Sequence, residues 1–191
     1  FFQNFDLFSA IKVSLFYVVS IVSSTGFDLQ VNGLGMLPTI IFIFLMFIGG
    51  CSASSSTGLK IVRVIVLLRY IPVSLKRIFH PRAIIPVRYN GKALRDESVR
   101  LIFGFFFLFL LLFIAGAFLL SIFGNGFIAS LSLSAAAISN MGPIMGSIAQ
   151  GFEYADLNLV SKYVLIVLML IGRLEIYAFF ALFSKSVWSR N

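Results

Sequence analysis

The sequence predicts an all-α polytopic membrane protein, on three observations. Of its 191 residues, 60% are hydrophobic and only 12% charged, with 23 Phe and a mean hydropathy of +1.04. Soluble domains carry about 25% charged residues. The apolar residues also come in solid runs, not in the period-2 alternation of an outer-membrane barrel. Finally, charge is sorted along the chain, with ten of the fifteen Lys and Arg between Lys60 and Arg100. So much apolar surface excludes an ordinary soluble domain and a disordered chain.

The elements follow in order. Ser9–Val22 and Phe127–Ile138 are apolar but short, reaching about 20 Å against the roughly 30 Å of a hydrocarbon core. Each runs into a polar, Gly-containing stretch, residues 23–27 and 139–143. Irregular backbone at membrane depth must line water or be buried in protein, which describes a pore helix with a following loop. Met36–Ile71 reads as one discontinuous helix, interrupted at residues 49–58 by a run of Gly and Ser; broken helices at membrane depth mark transporters. Leu101–Phe123 is a run of 23 uncharged residues, long enough to span, and Leu159–Phe183 is a second span that carries Arg173 and Glu175. The unit of pore helix, Gly loop and membrane helix thus occurs twice, with Gly26 and Gly142 116 positions apart.

Charge orients these elements. Residues 72–100 and the tail with Lys185 and Arg190 are basic, so both are placed in the cytoplasm. Residues 1–8, 28–35 and 144–158 lack Lys and Arg and hold Asp6, Asp28, Glu153 and Asp156. They are placed outside, where an acidic vestibule concentrates cations. The net charge of +8 comes with no nucleic-acid recognition motif. Cys51 is the single cysteine, so no internal disulfide forms. The opening Phe-Phe-Gln-Asn, without Met or a basic leader, reads as a fragment and not a signal peptide.

A cation that crosses a membrane must exchange its hydration water for other oxygens, and loops of backbone carbonyls provide them. Glycine suits such loops because it accepts backbone angles closed to other residues. A short helix also aims the negative end of its dipole at the bilayer centre. Ser24-Thr25-Gly26-Phe27 fits this pattern, and Asn140-Met141-Gly142-Pro143 fits it more loosely. Gly50–Lys60 is no phosphate loop, since Leu59 separates Gly58 from Lys60.

With Phe47-Ile48-Gly49-Gly50-Cys51-Ser52, His80-Pro81-Arg82-Ala83, Pro86-Val87-Arg88-Tyr89-Asn90-Gly91 and Gly172-Arg173-Leu174-Glu175-Ile176, these motifs make the chain resemble the Trk/Ktr/HKT superfamily of potassium transporters. Within it, the chain is most similar to the C-terminal half of the bacterial Trk-type membrane subunit. The resemblance implies potassium-channel-like repeats of membrane helix, pore helix and membrane helix: repeat three without its first helix (residues 1–71), then repeat four (101–191). It implies that Ser24, Thr25 and Gly26, with Asn140, Met141 and Gly142, form two of four filter walls. K⁺ would be held by the backbone carbonyls of Thr25, Gly26, Met141 and Gly142 as the transported ion, with no cofactor. Na⁺ and H⁺ are further candidate ions. It also implies a gate under the filter, made by Gly49, Gly50, Ser52, Ser54, Ser55, Ser56, Thr57 and Gly58 with Arg173. Ala53 and Thr57 stand where relatives usually carry additional glycines. The implied setting is the lipid bilayer of the bacterial inner membrane, as a homodimer with a cytosolic nucleotide-binding regulatory subunit.

Arg173, placed near mid-span, would cost at least about 2.5–3.5 kcal/mol unpaired. Glu175, two positions on, points to another side of the helix, so Arg173 needs another partner; the resemblance implies that this is the interrupting loop, through the carbonyls of Ser52–Thr57. Lys60 and Arg63 read as snorkelling residues, and His80 as a solvated loop residue. Two alternatives remain at this point. A non-conducting membrane scaffold would lack further pore repeats. A membrane-embedded enzyme would need Arg173, Glu175 and His80 at one depth, where the topology separates them.

Overall fold

The computed structural model describes residues 7–27, 29, 36–49, 59–79, 85–142, 155, 157–174 and 176–182. Within these the regular elements are helices and two small strand pairs. The helices are α1 (Leu7–Val22), α2 (Met36–Phe47), α3 (Ile61–Phe79), α4 (Asp96–Ile122), α5 (Phe127–Ser139), α6 (Leu159–Arg173) and α7 (Ile176–Leu182).

Helix α5 occupies the centre. Ser130 and every residue from Ser132 to Ser139 are buried, against α4, α6 and α2. Small side chains allow that approach. At Gly116 of α4 an added Cβ would lie 2.6 Å from Leu168 Cδ1 of α6 and 2.7 Å from Ser134 Oγ of α5. The Ser134 hydroxyl donates to Phe113 O at 2.8 Å, which satisfies a polar atom inside the contact. Tyr17, Phe42, Met46, Leu120 and Leu133 join α1 and α2 to the same core.

Helix α4 carries two apolar stripes. Phe105, Phe109, Phe113 and Leu120 face the protein, whereas Phe107, Leu111, Ile114 and Phe118 are exposed. In water such an outer stripe would be a liability; in lipid it faces a matching solvent. Helix α4 is the one described helix long and apolar enough to cross a membrane. It starts five residues before the expected span, because Asp96 and Glu97 form an acidic first turn suited to the helix dipole.

Three boundaries depart from the sequence expectation. The first is α3, which continues through Pro72 to Phe79, so residues 72–79 are helix and not loop. Pro72 is exposed, at a position where the ladder bond it removes lies on the outer face. The rest of the basic segment is also ordered. Strands β3 (Arg88–Tyr89) and β4 (Lys92–Ala93) form a hairpin across Asn90-Gly91, both left-handed with φ 51° and 79°, as a two-residue Asn-Gly turn requires. Arg77 donates to Ile85 O at 2.7 Å and to Asp96 Oδ1 at 3.2 Å, and so fastens α3 to this segment and to the start of α4.

The second departure is the expected span Leu159–Phe183, which is two helices with a turn at Leu174. Arg173 therefore ends a helix, where its charge complements the dipole. Glu175 lies outside the described residues. After the turn, Tyr177 of α7 reaches back to α4, donating to Leu101 O at 2.8 Å beside Gly104.

The third concerns the interrupted helix. Strand β1 (Ile48–Gly49) pairs in parallel with β2 (Leu59–Lys60), Ile48 opposite Leu59 and Gly49 opposite Lys60. The chain leaves at Gly49, returns beside its point of departure and continues in the same direction into α3. A short strand pair therefore takes the place of the helix at the interruption.

Candidate functional site

The ends of α1 and α5 share one backbone design. After α1, the Ser24 N–H bonds Ile21 O at 3.0 Å and the Thr25 N–H bonds Ser20 O at 3.1 Å. After α5, the Asn140 N–H bonds Ala137 O at 3.2 Å and the Met141 N–H bonds Ala136 O at 3.0 Å. These are the two hydrogen bonds of a Schellman motif, in which the residue after the helix turns left-handed. Ser24 and Asn140 do so, with φ 55° and 52°. Two residues on, Gly26 and Gly142 turn left-handed again, with φ 76° and 74°. The same alternation recurs at an offset of 116 residues although few letters are shared.

The two loops touch. A Cβ added at Gly26 would overlap the Met141 carbonyl and lie 3.3 Å from Gly142 Cα; one added at Gly142 would lie 3.9 Å from Gly26 Cα. So Thr25, Gly26, Met141 and Gly142, the expected carbonyl ligands, belong to neighbouring stretches of backbone. The Met141 side chain is buried in the central core, and Thr25 is exposed.

The loops are held by different means. Ser20 of α1 is buried and donates to Phe27 O at 3.0 Å, and Ser23 Oγ donates to Val19 O at 2.7 Å. The first loop is therefore fastened by its own helix. In the second, position 136 is Ala and offers no hydroxyl. There the Asn140 amide donates from Nδ2 to Met169 O of α6 at 3.0 Å. Gly172 of α6 makes room, since an added Cβ would overlap Ile138 O and lie 2.8 Å from Asn140 Nδ2. Sequence reasoning missed this contact. Its signal was the Gly next to Arg173, whose lack of a side chain admits the end of α5.

Of the expected gate, Gly49 lies in β1, whereas Gly50, Ser52, Ser54, Ser55, Ser56, Thr57 and Gly58 lie outside the described residues, as do Cys51 and His80. Arg173 is exposed at the end of α6. The Arg63 guanidinium stacks over the Phe105 ring at 3.9 Å, a cation–π contact that shields its charge within an apolar surface. Among the described residues, no group of His, Cys, Asp and Glu could hold a metal ion.

A mostly helical chain with one long apolar helix packed on the short helix α5 has the character of a helical membrane protein. Residues 2–190 match the TrkH family model, described as a cation transport protein, and the chain belongs to that family. It is 34% identical over 184 residues to the Trk system potassium uptake protein TrkH of Vibrio parahaemolyticus, covering 95% of this chain and 37% of the relative. It is 33% identical over 185 residues to the Trk system potassium uptake protein TrkG of Escherichia coli, covering 96% and 38%. The crystal structure of the potassium transporter TrkH from Vibrio parahaemolyticus matches with a TM-score of 0.85 at 33% identity, over 98% of this chain and 40% of that one. The chain thus spans about two fifths of the length of these relatives.

Proposed function

We propose that residues 23–27 and 139–143 form two walls of a potassium-selective filter, and that the chain works as part of a potassium uptake system. The observation that carries this reading is the recurrence of the same left-handed alternation at Ser24 and Gly26 and at Asn140 and Gly142, in loops that touch. Such alternation turns successive carbonyls toward a common side, as a row of cation ligands needs. The relatives' names as potassium uptake proteins supply the ion. Carbonyls of Thr25, Gly26, Met141 and Gly142 are the ligands in this reading, and the helices α1 and α5 add the negative ends of their dipoles. Two further walls come from outside these residues. The segment between β1 and β2, with Arg173, is the gate; Arg173 closes it by bonding carbonyls of Ser52–Thr57. The basic residues around β3 and β4 face the cytoplasm and a regulatory subunit.

Potassium uptake by a deficient bacterial strain tests this, using a complete transporter that carries these residues. Gly26→Ser and Gly142→Ser are expected to lower uptake and the K⁺/Na⁺ preference, and Arg173→Ala to raise flux. Unchanged uptake and preference in both glycine variants would falsify the filter assignment. Unchanged flux in Arg173→Ala removes the gate assignment alone.

A further inference from the structure

The two loops share a backbone design but not an anchor, and that difference points to a role for one side chain. The first loop is tied to its own helix through Ser20 and Phe27 O. The second is tied across 29 positions of sequence to α6, through Asn140 and Met169 O. A carbonyl only accepts, so the amide nitrogen of Asn140 must face Met169 O. The i to i−4 rule makes that same carbonyl the acceptor for the Arg173 N–H. One oxygen therefore lies at the junction of the second loop and the last turn of α6. Gly172 adds a close approach from the same turn. The residue equivalent to Asn140 in the first loop is Ser24, whose Oγ is buried with no hydrogen-bond partner among the described residues.

We infer that Asn140 is a positioning residue that makes the second loop and the Arg173 end of α6 one mechanical unit, while the first loop stays fixed to α1. This rests on the reading of both loops as filter walls. A displacement of Arg173 then reaches the Met141 and Gly142 carbonyls directly, through a hydrogen bond and a backbone contact. The first loop is instead bonded to its own helix, through Ser20 Oγ and Phe27 O, and meets the second loop at Gly26. The second wall thus sets the K⁺/Na⁺ preference according to the position of α6.

The test uses two variants in a complete transporter. Asn140→Gly removes the tether and keeps the left-handed conformation, which Gly adopts freely, so the protein still folds. Asn140→Asp keeps the shape but replaces the donor with an acceptor. Both are expected to lower the K⁺/Na⁺ uptake ratio by about two- to tenfold, the range that loss of one hydrogen bond allows. Both should retain membrane expression. A wild-type ratio in both, while Gly26→Ala abolishes discrimination, overturns the tether and leaves the filter reading intact. Wild-type ratios in all three variants overturn the filter reading and the tether together. A loss confined to one Asn140 variant reports added charge or lost bulk, and likewise overturns the tether.

Discussion

Three glycines with nearly equal backbone angles separate conformation from space. Gly26, Gly91 and Gly142 have φ of 76°, 79° and 74°. A left-handed backbone costs a residue with a side chain roughly 1–2 kcal/mol, so alanine at any of the three is strained alike. Their surroundings differ. Nothing lies within 4 Å of a Cβ at Gly91, Gly26 Cα is 3.9 Å from one at Gly142, and one at Gly26 overlaps the Met141 carbonyl. Alanine at Gly91 or Gly142 should lower the thermal midpoint in detergent slightly, by similar amounts. Gly26→Ala should lower it most, because backbone must move. Equal shifts at all three positions would show that the loop contact is absent in solution.

At the scale of elements, stability concentrates where α4, α5 and α6 meet. Gly116→Val would place its branched side chain against Leu168 and Ser134 and disturb the Ser134 bond to Phe113 O. Overpacking of this kind costs about 1–3 kcal/mol. Thermal unfolding of the purified protein should show a clearly lower midpoint; an unchanged one would mean that these helices do not pack closely there. How legible such elements are in the sequence depends on how local their causes are. Hydrophobic run length marks α1 and α5 to within two residues, and Asn90-Gly91 marks its turn, because both signals act within a few positions. The interruption after Ile48 is visible in its run of Gly and Ser. The continuation of α3 past Pro72 is not, since tertiary contacts of Val66, Tyr70, Val73 and Arg77 with residues 85–102 outweigh the local break. The stop at Arg173 and the Asn140 tether depend on the meeting of α5 and α6, which no short window contains. The left-handed Ser24 was equally hidden, since serine has no particular liking for that conformation and the helix end imposes it.

At the scale of the whole molecule, the chain holds two loops where a carbonyl ring of four walls is proposed, and it covers 37–40% of the length of its relatives. The 191 residues alone, reconstituted into potassium-loaded liposomes, should therefore give no flux above that of empty vesicles, whereas a complete transporter should conduct. Selective flux from the isolated chain would require copies of it to close a ring, and would replace the internal-repeat reading with an oligomeric one. The pairing of β1 with β2 matters at this scale too. It brings Gly49 beside Lys60, so that the strands flanking the nine residues 50–58 lie side by side. A segment inserted that way is a side branch of the path from α2 to α3. Its length is decoupled from the distance and register between the two helices. Doubling it would add only about 0.6 kcal/mol of closure entropy. Natural variation could therefore lengthen or shorten the insertion while the scaffold around it keeps its dimensions.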